Sequence, residues 1–94
     1  MNSSPSFEAM RFSYTPSFVR RFKGLEESLK EEIREKLTLF KKNVRDPSLK
    51  THKLKGKLHC CYSFSVNYQY RIVFCFDSQN DIAFLDVGDH DVYR

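Results

Sequence analysis

The 94-residue sequence predicts an α+β fold: a helical hairpin packed on one face of an antiparallel four-stranded sheet, in the order β-α-α-β-β-β. Three observations carry it. Leu25, Leu29, Ile33, Leu37, Phe40 and Val44 recur every three or four positions, the single apolar stripe of an amphipathic helix. Upstream, Met10–Tyr14 alternates with aromatics as a strand does. Downstream, the second half of the chain changes to runs of β-formers broken by polar turns. Helices grouped on one side of a run of strands give a two-layer domain with one core between them.

Each element has a local reason. After the first strand, Thr15-Pro16 supplies an N-cap and a proline at the first helical position. The short helix that follows has Phe18, Val19 and Phe22 on its apolar face, and Gly24 ends it. The second helix runs from about Glu26 to about Asn43, acidic at its start and closing on Lys41 and Lys42, a polarity that suits the helix dipole. Its charges are otherwise those of a solvated face. Asp46-Pro47 stops it. A basic connector, Ser48 to Lys57, leads to a strand over Leu58–Val66. Asn67-Tyr68-Gln69 turns the chain into Tyr70–Phe76, a near-continuous apolar run expected of a central strand. Asp77–Asp81 reads as a polar loop, Ile82–Val87 as the last strand, and Gly88-Asp89 as the start of a short tail. Residues 1–9 read as a flexible leader and 10–94 as one domain.

Composition narrows the class of protein. The chain is 40% hydrophobic and 30% charged, the balance of a folded domain. Nine Phe and five Tyr, with no Trp, supply a small core with much apolar area per residue. No apolar run approaches the ~20 residues that span a bilayer, and the N-terminus lacks the basic and apolar regions of a signal peptide. Three cysteines, two of them adjacent, suit reduced thiols in the cytoplasm better than a disulfide framework. Cys60 and Cys61 alternate across a strand, so they do not share an ion readily, and no metal or other cofactor is expected.

Charge is the functional signal. The 12 acids nearly balance the 16 Lys and Arg, yet none lies between Pro47 and Phe76. That window holds Lys50, Lys53, Lys55, Lys57 and Arg71, with His52, His59 and several aromatic rings interleaved. Concentrated positive charge with rings suits a phosphate backbone bearing bases, while the bland alternative is a solvated Lys-rich surface. Acid–base chemistry at a phosphate ester would need a base for the attacking hydroxyl, donors for the charge gathering on phosphorus, and an acid for the leaving oxygen. Histidine is the natural acid or base near neutral pH, and His52, His59 and His90 are available. Taken alone, an arginine such as Arg71 heading an apolar strand is more often paired or capping than catalytic.

The stretches HKLKGKL before the second strand, YRIVF in the third and VGDHDVYR at the end, in this order around this succession of elements, resemble the RelE/ParE superfamily of bacterial type II toxins. The likeness covers about Met10 to Arg94, and the RelE/YafQ-like branch is the most similar. The resemblance implies a small basic ribonuclease that cleaves mRNA on the ribosome and is held inactive by a cognate antitoxin. It matches Arg71 to the phosphate-binding arginine of the family's strand, His52 to a histidine of the YafQ-like members, and His90 to the histidine after the last strand, there a general acid. Tyr93 falls near the C-terminal aromatic. His59 has no counterpart and reads as surface. Either His52 or the Tyr93 hydroxyl would help remove the 2′-OH proton and His90 would protonate the leaving oxygen, with the two histidines able to exchange roles. Lys50, Lys53, Lys55 and Lys57 would hold phosphates.

This sequence also departs from the family. Ser63 and Ser65 stand where RelE itself has two lysines, and His90 to Tyr93 is one residue shorter than the usual G-x-H-x-x-V-Y spacing. These differences keep two alternatives open: a ParE-like toxin that inhibits DNA gyrase by protein contact, and an inactive fold that binds only its antitoxin.

Overall fold

The computed structural model describes residues 10–55 and 61–89. The elements are β1 (Arg11–Tyr14), α1 (Pro16–Lys23), α2 (Glu27–Lys42), a 3-10 turn (Pro47–Leu49), β2 (His52–Lys53), β3 (Cys61–Ser65), β4 (Tyr70–Ser78) and β5 (Asp81–Asp89). The strands form one sheet in the order β1-β5-β4-β3-β2.

The expected α+β layering and element order hold, with four differences, the simplest being that Gly88 and Asp89, expected to begin a tail, extend β5 and pair with Arg71 and Tyr70. The sheet has five strands, because the basic connector contributes β2, paired antiparallel with β3. Two residues rich in charge carry no period-2 signal, so nothing local announces this strand. The sheet is not wholly antiparallel: β1 runs parallel to β5, with Arg11 opposite Asp81 and Tyr14 opposite Phe84. Alternation encodes which face a residue takes, not the direction of its partner; the helical crossover brings the first strand alongside the last. The polar stretch 77–81 is a tight hairpin rather than a loop. Strand β4 continues to Ser78, β5 begins at Asp81, and the Ser78 hydroxyl donates to Asp81 at 2.7 Å.

The helices form as their caps dictate. Thr15 is extended and its hydroxyl oxygen accepts from the Phe18 amide at 3.1 Å. The same hydroxyl donates to the Leu85 carbonyl at 2.7 Å, and the Thr15 amide donates to the Phe84 carbonyl at 3.0 Å. Leu85 lies where the β4–β5 register slips, from Val73 opposite Asp86 to Phe74 opposite Phe84. The start of α1 is therefore fastened to an irregularity in β5. Arg21 adds an ion pair to Asp86 at 3.2 Å.

The core lies between helices and sheet. Ile33, Leu37 and Phe40 of α2 and Phe18 of α1 are buried against Phe64, Ile72, Phe74, Ile82, Phe84 and Val87. Phe40 is its hub. Its ring stacks on Phe64 at 4.7 Å and meets Phe74 and Phe84 edge-on at 4.8 and 5.7 Å, joining α2 to β3, β4 and β5. The opposite face of the sheet carries a smaller cluster of Leu54, Cys61 and Val73, flanked by Cys75 and Leu85. Cys61 and Cys75 stand opposite each other across β3 and β4. Burial, followed by the nearby Cys61 and Asp77, pushes the Cys75 thiol up to about 11, so it stays protonated and weakly nucleophilic at neutral pH.

Among the described residues no helix is long and apolar enough to cross a membrane.

Two measurements test this account. Phe40→Ala should lower unfolding free energy by about 3–5 kcal/mol in chemical denaturation, because it leaves a cavity at the meeting point of three rings. The second concerns the β1–β5 edge, where Arg11 donates to both oxygens of Asp81 at 2.6 and 3.1 Å. The Arg11 hydrogen bond first, then that from Ser78, lowers the Asp81 carboxyl from 3.8 to about 2. A lowered folded-state value contributes stability above about pH 4 that is lost as pH falls through 2. The stability gap between wild type and Asp81→Asn should therefore be widest above pH 4 and close toward pH 2.

Candidate nucleic-acid interface

Alternation along β4 sends Ile72 and Phe74 into the core and leaves Arg71 and Val73 on the face away from the helices. Arg71 sits near the start of β4, between Ser65 of β3 and Gly88 of β5. Ser65 accepts a hydrogen bond from the Arg71 guanidinium, and Gly88 presents no side chain on the other side. Arg71 is thus half-buried and aimed by a neutral partner that leaves its charge available.

A cleft of about 320 Å³ opens there, lined by Lys36, Ser48, Lys50, Ser65, Val66, Asn67, Tyr68 and Arg71. Its cations come from three elements: Lys36 from α2, Lys50 from just beyond the 3-10 turn, and Arg71 from β4. Among the described residues none of the three makes an ion pair within 4 Å, although the Lys36 ammonium acts at longer range on the Asp46 carboxylate.

The loop supplying Lys50 is held by Asp46. Its carboxylate caps the 3-10 turn, accepting from the Ser48 amide at 2.9 Å and the Ser48 hydroxyl at 2.6 Å. These bonds, the hydroxyl's first, lower the Asp46 carboxyl below its usual range. Lys50 itself has left-handed backbone, φ 51° and ψ 52°, a conformation that favours glycine. A lysine held there at about 1–2 kcal/mol of backbone cost keeps its side chain at the mouth of the cleft.

The opposite wall is the β3–β4 turn. The Asn67 carbonyl oxygen accepts from the amides of Gln69 and Tyr70, each at 2.8 Å, and its amide nitrogen donates to Glu32 of α2 at 2.9 Å. The turn is fixed from within and moored to the helix.

His52 pairs with Ser63, two residues along β3 from Ser65, so it shares the face that carries Arg71. Sheet spacing separates the two residues by roughly 10 Å across the strands and 7 Å along them. His52 is exposed at the sheet edge. Lys53, opposite Tyr62, alternates to the other side of β2, and Lys55 is exposed without lining the cleft. Of the expected phosphate-holding lysines, Lys50 is thus the cleft lysine among the described residues. Lys57, His59, His90 and Tyr93 lie outside the described residues, but Asp89 pairs with Tyr70, so β5 ends beside Arg71. Ser63 is 1% exposed, too buried to serve as a surface contact.

Nothing local marks Lys36 or Ser48 as part of the cleft. Lys36 is one of many charges on the polar face of α2, and only the arrival of the β3–β4 turn distinguishes it. The acid-free window did signal the loop from Lys50 onward.

No protein-family model and no curated protein matches the sequence. Solved structures do match. The YoeB/ParE toxin from Agrobacterium tumefaciens superposes with TM-score 0.72 at 18% identity, over 86% of this chain and 99% of that one. YafQ from E. coli gives 0.74 at 15% identity, over 87% and 94%. YoeB in the YoeB–YefM toxin–antitoxin complex from Staphylococcus aureus gives 0.68 at 24% identity, over 86% and 97%. The chain has the fold of the RelE/ParE-superfamily toxins, as its three motifs implied.

The backbone at Lys50 yields a direct test. Lys50→Gly should leave unfolding free energy within about 1 kcal/mol of wild type, since relief of left-handed strain offsets glycine's greater unfolded-state entropy. Lys50→Val should lose about 1–2 kcal/mol, because a β-branched residue tolerates positive φ poorly. Denaturant titration of both variants reads this difference.

Proposed function

We propose that this chain is the toxin of a type II toxin–antitoxin pair and that it cleaves mRNA on the ribosome without a metal ion. One observation carries the reading. A toxin fold presents an arginine, anchored by a neutral serine, in a cleft with two further cations and no ion pair among them within the described residues. That arrangement suits a phosphate gaining charge. Arg71 would hold the scissile phosphate, with Lys36 and Lys50 on the flanking backbone. His52 or the Tyr93 hydroxyl would take the 2′-OH proton, and His90 would protonate the leaving 5′-oxygen, or the histidines would exchange these parts. Lys53, Lys55 and Lys57 would act at longer range by attracting the polyanion.

The partner follows from the same reading. The solved YoeB–YefM and DinJ–YafQ complexes pair a toxin with its antitoxin. A chain of net charge +4 fits an antitoxin that brings acidic side chains along with apolar ones. Cytoplasmic action on ribosomes belongs to the same proposal.

Ser63 and Ser65 favour a second reading. With serines where lysines are expected, the chain would inhibit gyrase or another host target by contact, or bind only its antitoxin.

Arg71→Ala and His90→Gln decide between them. Each should relieve growth inhibition and lower cleavage on translating ribosomes by about 10²–10³-fold, with folding and antitoxin binding intact. Cleavage by the wild type should persist in chelator. Full toxicity of both variants, with ribosome-bound mRNA uncut by the wild type, would transfer the assignment to the contact inhibitor.

A further inference from the structure

Tyr68 stands at the tip of the β3–β4 turn and is 92% exposed, far beyond the other exposed large apolar residues, which reach 38–46%. Turn tips favour Gly, Asn, Asp and Ser, whose small side chains lose little there. A tyrosine in that place buries almost nothing for the fold. Among the described residues its ring stacks on no other ring and its hydroxyl has no hydrogen-bond partner, whereas Tyr14 and Tyr62 both make ring contacts.

A single exposed ring is ordinary on a protein surface. This one differs in two respects. Its backbone is held, since Asn67 on one side accepts from Gln69 and Tyr70 and is tied to Glu32, and the Val66 amide donates to the Tyr70 carbonyl at 2.9 Å. It also lines the cleft that collects Lys36, Lys50 and Arg71. A ring on a fixed turn beside a row of cations is the arrangement that binds a single-stranded nucleic acid, with the backbone on the cations and a base on the ring. Such stacking tolerates any base, because every base has a π-face.

We propose that Tyr68 is a base-stacking platform, holding an unpaired nucleotide next to the phosphate bound at Arg71. The inference rests on the RNA reading of the cleft. It assigns Tyr68 to positioning the RNA, outside the proton-transferring set, and it predicts that the neighbouring nucleotide is gripped as unstacked RNA with little preference for its identity. The ring carries no charge, so it adds affinity without adding to the salt dependence.

The test uses the full chain and a mixed-sequence single-stranded oligoribonucleotide, beside the same oligonucleotide with abasic internal positions, titrated at several salt concentrations. Tyr68→Ala should weaken binding to the intact RNA by roughly 5- to 100-fold, with the slope of log affinity against log salt unchanged. Tyr68→Phe should bind like wild type. On the abasic RNA, wild type and Tyr68→Ala should bind alike. The chain contains no Trp, so in Tyr68→Trp the emission comes from position 68 alone and should be quenched by intact but not abasic RNA. Arg71→Ala separates the proposal from the reading beneath it. If Arg71→Ala loses salt-dependent RNA binding while Tyr68→Ala does not, the cleft binds RNA and the stacking role falls. If the wild type binds no RNA at low salt, both fall. A Tyr68→Phe loss as large as that of Tyr68→Ala would also overturn stacking, since it would assign the effect to the hydroxyl. So would an Ala effect confined to binding of a protein partner.

Discussion

Burial of the Phe40 ring ties the helical layer of this protein to its sheet. The ring is fully buried and touches Phe64, Phe74 and Phe84, one ring from each of three adjacent strands. An amphipathic helix of 16 residues has little stability of its own in water, and a small sheet with one bare face has no reason to persist. Their mutual burial stabilises both. Because Phe40 lies in the last turn of α2, its burial also holds the end of the helix against the sheet, from which Asp46-Pro47 leads into the connector.

That constraint reaches the cleft through parity. Once Ile72 and Phe74 are committed to the core, Arg71 must face the other way, and a slip of one residue in β4 would bury the guanidinium. Its neighbours are set by the same register: Ser65 on β3 and Gly88 on β5. The serine therefore has a structural consequence of its own. A lysine beside Arg71 would add charge and repel it, whereas the Ser65 hydroxyl accepts a hydrogen bond and orients it. Cationic strength is supplied instead from outside the sheet, by Lys36 and by Lys50 on its left-handed backbone.

The cleft is built from segments with separate supports. Asp46 holds the loop before Lys50, Asn67 holds the turn before Arg71, and Glu32 links that turn to α2. These are short polar contacts at the surface, each worth little alone. Their effect is geometric: they limit the directions in which the cationic side chains and the exposed Tyr68 can point. A polyanion would then meet a surface that needs little reordering on binding.

The chain alone makes legible the succession of the two helices and the main strands, the core stripe of α2, the caps of α1 and the acid-free window around Arg71. These are local facts: helix periodicity, the Thr15-Pro16 start and charge composition depend on neighbours a few residues away. The three motifs, matched in order, also indicated the fold. Long-range packing settles that β1 runs parallel to β5, that His52–Lys53 forms a fifth strand, and that Lys36 and Tyr68 join Arg71 in one cleft. Strand direction and partner choice arise from how the helical crossover packs, and the two polar residues of β2 carry no alternation to betray a strand. Lys36 and Arg71 are 35 positions apart in the chain, on elements whose individual patterns say only which side faces the core. Their meeting follows from the burial of Phe40 and the mooring of the β3–β4 turn to Glu32, interactions that exist only once the layers have packed.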